Sequence, residues 1–430
     1  MQKILHFLVA FSLFNCSQSS EIFYPDRPLN PSTENSDVQS RTHVFQESMP
    51  FLASRADIIK QTPLLPTHVH EVIFAVQQKN MDEIERILND VSDPSSVNYG
   101  HHMSGEQVAA MTMNPEARDA IVDYLYANGA SVTAESMNSE FITASAPISL
   151  WNKVFDTEFN LFHQKQVDGK IEQLVRAESF SIPKELDDHV MTVMNTIEMP
   201  VVRTRQANIY DAPKEVINGM GRALGSTYSL GWILPKVLRS YYNVTSNRGS
   251  ALSTQAAYGA NSDYFNPSDL AKFQTYDNIN INQPVMNVNG HSTSNIADLG
   301  LDGDWGEGNL DIQYIVAMSP GSPTTYWYWN RTLASWLVSL ASVPNVPLVL
   351  SISYGADEFY TSGSESRIFN AEAIKLGVRG VTILAASGDD GALSDLARGR
   401  PSNCAYRPIF PASNPFVVAV GATSVSTMEY

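Results

Sequence analysis

Glu307 and Asp311 stand four positions apart in Gly306-Glu307-Gly308-Asn309-Leu310-Asp311-Ile312-Gln313-Tyr314. At helical spacing their carboxyl groups lie one turn apart on one face. A bare pair of this kind is ordinarily a solvated helix surface, slightly destabilised by like charge. Here the pair follows Gly303-Asp304-Trp305-Gly306 and opens an otherwise apolar run, with Leu310, Ile312, Tyr314, Ile315, Val316 and Ala317. Neighbouring carboxyls drive their proton affinities apart. One of them then stays a base in acid, where an imidazole would already be protonated. A further acid, Asp389, sits in Ser387-Gly388-Asp389-Asp390-Gly391, straight after the apolar run Val381 to Ala386. Alone it reads as a turn residue. Protonated at a desolvated rim it would donate a hydrogen bond to a developing oxyanion, an interaction of about 3 kcal/mol. Acids in this arrangement suit a hydrolase that works at low pH.

The surrounding pattern supplies elements to hold these groups. Beyond residue 230 the chain alternates helices and β-branched or aromatic strands. The helices are Pro235 to Tyr242, Asn266 to Tyr276, the one with the acid pair, Thr332 to Ala341 and Ser366 to Gly377. The strands are Pro284 to Val288, Thr325 to Trp329, Leu348 to Ser353, Val381 to Ala386 and Phe416 to Val420. Such alternation predicts an α/β unit whose parallel sheet is covered on both faces. Sites in these sheets form outside the carboxyl ends of the strands. Ser353-Tyr354-Gly355 and Ser387-Gly388-Asp389 would therefore leave the sheet at one rim, and Ser353, Tyr354 and Gly355 are expected to bind a peptide by strand addition. Upstream, a strand at Val69 to Val76, helices near 81–91, 105–111 and 115–128, and strands near 141–144 and 158–162 predict a compact α+β unit ending near Pro200.

The resulting division is a signal peptide (1–20), a flexible lead-in (21–65), an α+β unit (66–200), a linker with a processing site (201–229, carrying Arg203, Arg205 and Arg222) and the α/β unit (230–430). The signal reading rests on Lys3, the short apolar run Ile4 to Phe14 and the small polar residues Asn15 to Ser20, which predict entry to the secretory pathway. Asn243 and Asn330 head glycosylation sequons compatible with that route. After signal removal Cys404 has no cysteine partner within the chain. A net charge of -17 and a pI near 4.9 exclude a nucleic-acid surface. Pro344 and Pro347 divide the apolar stretch Leu333 to Ile352, so no membrane span is expected. His68, His70, His101 and His102 lack a matching set of ligands, so no metal is assigned to this chain. Ser424, in Gly421-Ala422-Thr423-Ser424, follows a strand with no helix behind it and reads as a strand-end residue. No Gly-x-Ser-x-Gly occurs.

Together these segments resemble the sedolisins, or serine-carboxyl peptidases, and within them the lysosomal tripeptidyl-peptidase group. The resemblance is carried by Gly306 to Tyr314, Ser353-Tyr354-Gly355-Ala356-Asp357-Glu358, Ala386-Ser387-Gly388-Asp389-Asp390-Gly391-Ala392, Phe410-Pro411-Ala412-Ser413-Asn414-Pro415-Phe416, the entry segment Leu234 to Asn243 and, upstream, Val91 to Gly100. It implies a ferredoxin-like prodomain that inhibits in cis, ahead of a subtilisin-like domain that cuts polypeptides. It implies that Glu307 is the general base, Asp311 the acid that orients it and Asp389 the oxyanion-stabilising acid. Family enzymes place the nucleophile in a Gly-Thr-Ser-x-x-x-Pro motif and bind calcium nearby. Neither that serine nor those ligands match a segment of this chain, so it is expected to be a truncated zymogen, inactive as written, from a lysosomal or extracellular peptidase. The partner of Cys404 would lie in the same unmatched segment. The alternative is a non-catalytic peptide-binding product. A glycosidase is disfavoured because its acids flank the scissile bond from opposite sides, which one helix face does not provide.

Overall fold

The computed structural model describes residues 42–49, 55, 57–165, 171–200, 234–244, 248–260, 263–276, 284–288, 306–329, 331–393 and 406–422. The expected signal peptide, the linker, Asn330, Cys404 and Ser424 lie outside them.

The first unit contains β1 (His43–Ser48), β2 (Ile58–Pro63), β3 (Val69–Val76), α1 (Met81–Ser92), α2 (Gly105–Thr112), α3 (Pro115–Ala127), β4 (Ser131–Glu135), β5 (Phe141–Pro147), α4 (Ile148–Val154), β6 (Asn160–Lys165), β7 (Ile171–Arg176), β8 (Ser179–Pro183) and β9 (Val190–Met194). Its main sheet has the order β4-β5-β3-β9, antiparallel throughout. With helices between β3 and β4 and between β5 and β9, this is the ferredoxin-like arrangement. Alternation in β3 sends His70, Val72 and Phe74 inward. Phe74 joins Trp151, Phe155, Phe159 and Phe180 in the core. Ser104 closes a capping box at the start of α2, and Asn114 caps α3 with Pro115 behind it.

The expectation of a flexible lead-in through residue 65 is corrected here. β1 pairs with β8, and β2 joins β6 and β7 in a three-stranded antiparallel sheet. Proline and serine masked two short strands whose pairing partners lie about a hundred residues or more downstream.

The second unit contains α5 (Pro235–Tyr241), β10 (Gln255–Gly259), α6 (Pro267–Tyr276), β11 (Val285–Val288), α7 (Gly306–Met318), β12 (Thr324–Tyr328), α8 (Leu333–Ala341), β13 (Val349–Ile352), β14 (Ala356–Asp357), α9 (Gly363–Val378), β15 (Thr382–Ala386), β16 (Ile409–Phe410) and β17 (Val418–Val420). Six strands form a parallel sheet in the order β11-β12-β10-β13-β15-β17. This is the subtilisin-like parallel sheet that was expected, behind a ferredoxin-like unit. β10 is the one strand of this sheet that the sequence pattern did not announce. Gln255-Ala256-Ala257-Tyr258-Gly259 has no β-branched residue, yet every position is buried because strands flank both its edges.

The two units share an interface along α9. Leu88 of α1 packs where a Cβ on Gly377 would lie, 2.8 Å from Cδ1, and Ile84, Val91 and Val108 meet Ile374 and Val378. Within this apolar seam Lys375 bridges Glu372 at 2.7 Å and Glu140 of the first unit at 3.0 Å. The Thr112 hydroxyl donates to the other oxygen of Glu140 at 3.0 Å.

Candidate active site

α7 runs from the carboxyl rim of the sheet back toward β12, so its amino end stands beside the ends of β10 and β12. Glu307 and Asp311 occupy its first two turns, and both are half-buried. Between them Gly308 is buried, and a Cβ there would sit 2.6 Å from the Tyr264 carbonyl oxygen. Only glycine lets the helix come this close. Asn309 accepts a hydrogen bond from the Asn266 amide at 2.7 Å, a second tie between α7 and the segment entering α6.

Asp263, which sequence reasoning missed, gathers these elements. Its Oδ2 accepts the Gly308 amide at 2.9 Å and the Tyr354 hydroxyl at 2.8 Å. Its Oδ1 accepts the Tyr264 amide at 2.8 Å, and its carbonyl accepts the Tyr326 hydroxyl at 2.9 Å. Burial, at 3 % exposure, pushes its carboxyl up to about 6. Those hydrogen bonds pull it down, and the Glu307 charge adds to the rise. A lone Asp in Asp263-Tyr264-Phe265 carries no periodic or motif signal, so only the fold exposes its role.

The Ser353 hydroxyl donates to Asp311 Oδ1 at 2.8 Å, directly past the end of β13. Tyr354 is buried, and burial together with the nearby Asp263 charge raises its phenol well above the ordinary value. The expected peptide-binding segment thus points inward at its second residue, which ties to Asp263 instead of facing a ligand. Gly355 has the Phe410 carbonyl 2.7 Å from where a Cβ would be, and Ala356 pairs with Phe410 through β16. The chain's own strand therefore already occupies the edge beyond Gly355, which narrows the strand addition expected there. That crowding follows from the antiparallel pairing of β16 with β14, a contact between segments about fifty residues apart.

Asp389 is exposed on the loop after β15. Because Ile352 is in register with Ala385, that loop leaves the same rim as Ser353, one strand over. Gly388 turns it with a φ of 90°, left-handed backbone suited to glycine. Glu307, Asp311, Ser353 and Tyr354 are thus brought into one network around Asp263, and Asp389 shares their rim. Asn243 is exposed in the turn after α5. His70 is a core residue whose Nε2 meets the Asn195 carbonyl at 2.9 Å, and burial lowers its pKa to about 4.

Among the described residues no group of three or more His, Cys, Asp or Glu is placed to hold a metal. No helix among them is long and apolar enough to cross a membrane.

Residues 56–199 match the family described as pro-kumamolisin, activation domain. The chain is 30% identical over 380 residues to tripeptidyl-peptidase 1 of Homo sapiens, covering 84% of this chain and 62% of that protein. It is 28% identical over 383 residues to tripeptidyl-peptidase 1 of Rattus norvegicus, with the same shares covered. It therefore spans about three-fifths of the length of these curated relatives. Among solved structures it resembles a Pseudomonas sedolisin (serine-carboxyl proteinase) complexed with two molecules of pseudo-iodotyrostatin, at 24% identity and a TM-score of 0.35, over 46% of this chain and 55% of that one. The chain therefore carries a pro-kumamolisin activation domain ahead of its parallel-sheet unit, and over 380 residues it is similar to tripeptidyl-peptidase 1.

Proposed function

We propose that the α/β unit carries the acid half of a peptidase site, in which Glu307 takes the proton from an attacking serine hydroxyl. Asp311 holds Glu307's neighbourhood negative and oriented, and Asp389, in its acid form, donates to the tetrahedral oxyanion. The acyl-enzyme then forms as the peptide nitrogen leaves with a proton, and water hydrolyses it with Glu307 again the base. What supports this reading most is that Glu307 and Asp311 stand at the carboxyl rim on a helix locked at Gly308 and Asp263, with the Asp389 loop one strand away.

No Gly-Thr-Ser-x-x-x-Pro motif occurs in these 430 residues and no proline follows Ser424, so no nucleophile is assigned among them. The substrate class is unfolded polypeptide, with removal of amino-terminal tripeptides as the narrower reading from the relatives. The first unit acts as an inhibitor removed in acid, and the setting is the secretory pathway, lysosomal or extracellular, with Asn243 and Asn330 glycosylated.

The test is hydrolysis of unblocked peptides by the full-length product at about pH 4, below the range of a neutral imidazole. Glu307→Gln and Asp389→Asn are expected to lower kcat by about a hundredfold or more each. Residues 1–430 alone are expected to show no turnover. Wild-type kcat in Glu307→Gln would sink the assignment, and turnover by residues 1–430 that Ser424→Ala abolishes would move the nucleophile to Ser424.

A further inference from the structure

We propose that residues 43–49, which precede the matched activation domain, are a working part of the inhibitory unit: β1 delivers the Glu47 carboxylate to the amino end of α9 and clamps the first unit onto the second.

α9 begins in a defined way. Ser362 caps it by accepting the Glu365 amide at 3.0 Å, which leaves the Gly363 and Ser364 amides without a partner inside the helix. Glu47 supplies that partner. One of its oxygens accepts the Gly363 amide, and the other accepts the Ser364 amide at 2.8 Å and the Ser364 hydroxyl at 2.7 Å. The Arg367 guanidinium lies 3.9 Å away on the next turn. Charge-assisted bonds to helix amides, aligned with the helix dipole, are among the stronger polar contacts a protein makes.

At its other side β1 belongs to the first unit. It pairs with β8 from His43–Pro183 to Ser48–Ser179, the Met49 amide donates to the Glu178 carbonyl at 2.8 Å, and the Met49 side chain is buried in that unit's core. The ladder slips register between Phe45 and Glu47. A slip of this kind re-aims a side chain, and here it accompanies the turn of Glu47 away from its own sheet. A second strand meets the same turn of α9, where the Thr192 hydroxyl of β9 donates to the Ser364 hydroxyl at 2.7 Å. The Glu47 contact joins segments more than three hundred residues apart, and Glu47 lies outside residues 56–199 that carry the family match.

The inhibitory consequence rests on the peptidase reading above, whereas the docking does not. A site-specific protease sequence placed between Arg203 and Leu230 of the full chain allows the units to be cut apart at neutral pH, and their dissociation rate can be followed by size-exclusion or surface binding. The cut wild-type units are expected to stay together. Glu47→Ala should speed dissociation about thirtyfold or more, and Glu47→Gln by less, because it keeps the acceptor and loses the charge. Ser364→Asp, on the opposite face, should match Glu47→Ala through like-charge repulsion, which guards against misfolding of the first unit as the explanation. Dissociation of Glu47→Ala at the wild-type rate would overturn the clamp, as would wild-type units that part as fast as the variant. Neither result depends on turnover, so loss of the clamp and loss of the peptidase assignment are told apart by the Glu307→Gln assay.

Discussion

The rim around α7 and the seam along α9 both bury carboxyl groups, and they handle them in opposite ways. At the rim, Asp263 and Asp311 are met by hydroxyls and amides: Tyr354, Gly308 and Ser353. At the seam, Glu140 and Glu372 are met by the ammonium of Lys375, whose own pKa burial would lower but the two carboxylates hold above its ordinary value. A carboxyl partnered by neutral donors keeps both protonation states within reach. One partnered by a buried cation serves as a tie, and at Glu372 the Lys375 ammonium offsets in part the burial that raises the carboxyl. The same functional group thus meets neutral donors in one region and a buried cation in the other.

The largest effect expected from breaking this contrast is at Lys375. Lys375→Met leaves Glu140 and Glu372 facing each other in an apolar seam, and urea unfolding should show a loss of about 3–5 kcal/mol. Adding Glu140→Gln should restore part of it, because one of the stranded charges is gone. If Lys375→Met costs nothing, the seam is not held by charge and the comparison fails.

The next effect is a pH dependence at the rim. The Asp263 carboxyl is raised from 3.8 to about 6, so the folded chain binds its proton more tightly than the unfolded chain does. Its stabilisation is complete below the ordinary carboxylate value and is lost as pH rises through about 6, a change of about 3 kcal/mol in favour of acid. Glu365, raised by burial to about 7, acts in the same direction, whereas His70, lowered to about 4, costs stability as pH falls from its ordinary value toward 4. Denaturation of Asp263→Asn at about pH 4 and about pH 7 should therefore show a shallower loss toward neutrality than the wild type. An unchanged slope would mean that Asp263 does not titrate with folding.

The smallest effect is at Ser353. Removing its hydroxyl in Ser353→Ala takes one donor from Asp311 and should cost about 1–2 kcal/mol in the same assay, with the tie between α7 and β13 loosened. A larger loss would place Asp311 closer to the seam's style of structural tie.

Much of this layout could be read along the chain. The acid helix, the strands ending at Ile352 and Ala386, and the alternation around them were legible because β-branched runs and glycines mark strand ends locally. β10 was not, since its alanines owe their burial to strands on both sides. β1 and β2 were not, since short edge segments are stabilised by distant partners.

Spacing alone determined that Glu307 and Asp311 share a helix face and that Asp389 follows a buried strand, because both depend on residues within a turn or two. Tertiary structure alone decided that Asp263 would fasten that helix to Tyr354, that Phe410 would cover Gly355, and that Glu47 and Glu140 would seat on α9. Those contacts join segments from about 40 to more than 300 residues apart, and the burial that sets their strength exists only after the chain has closed around them.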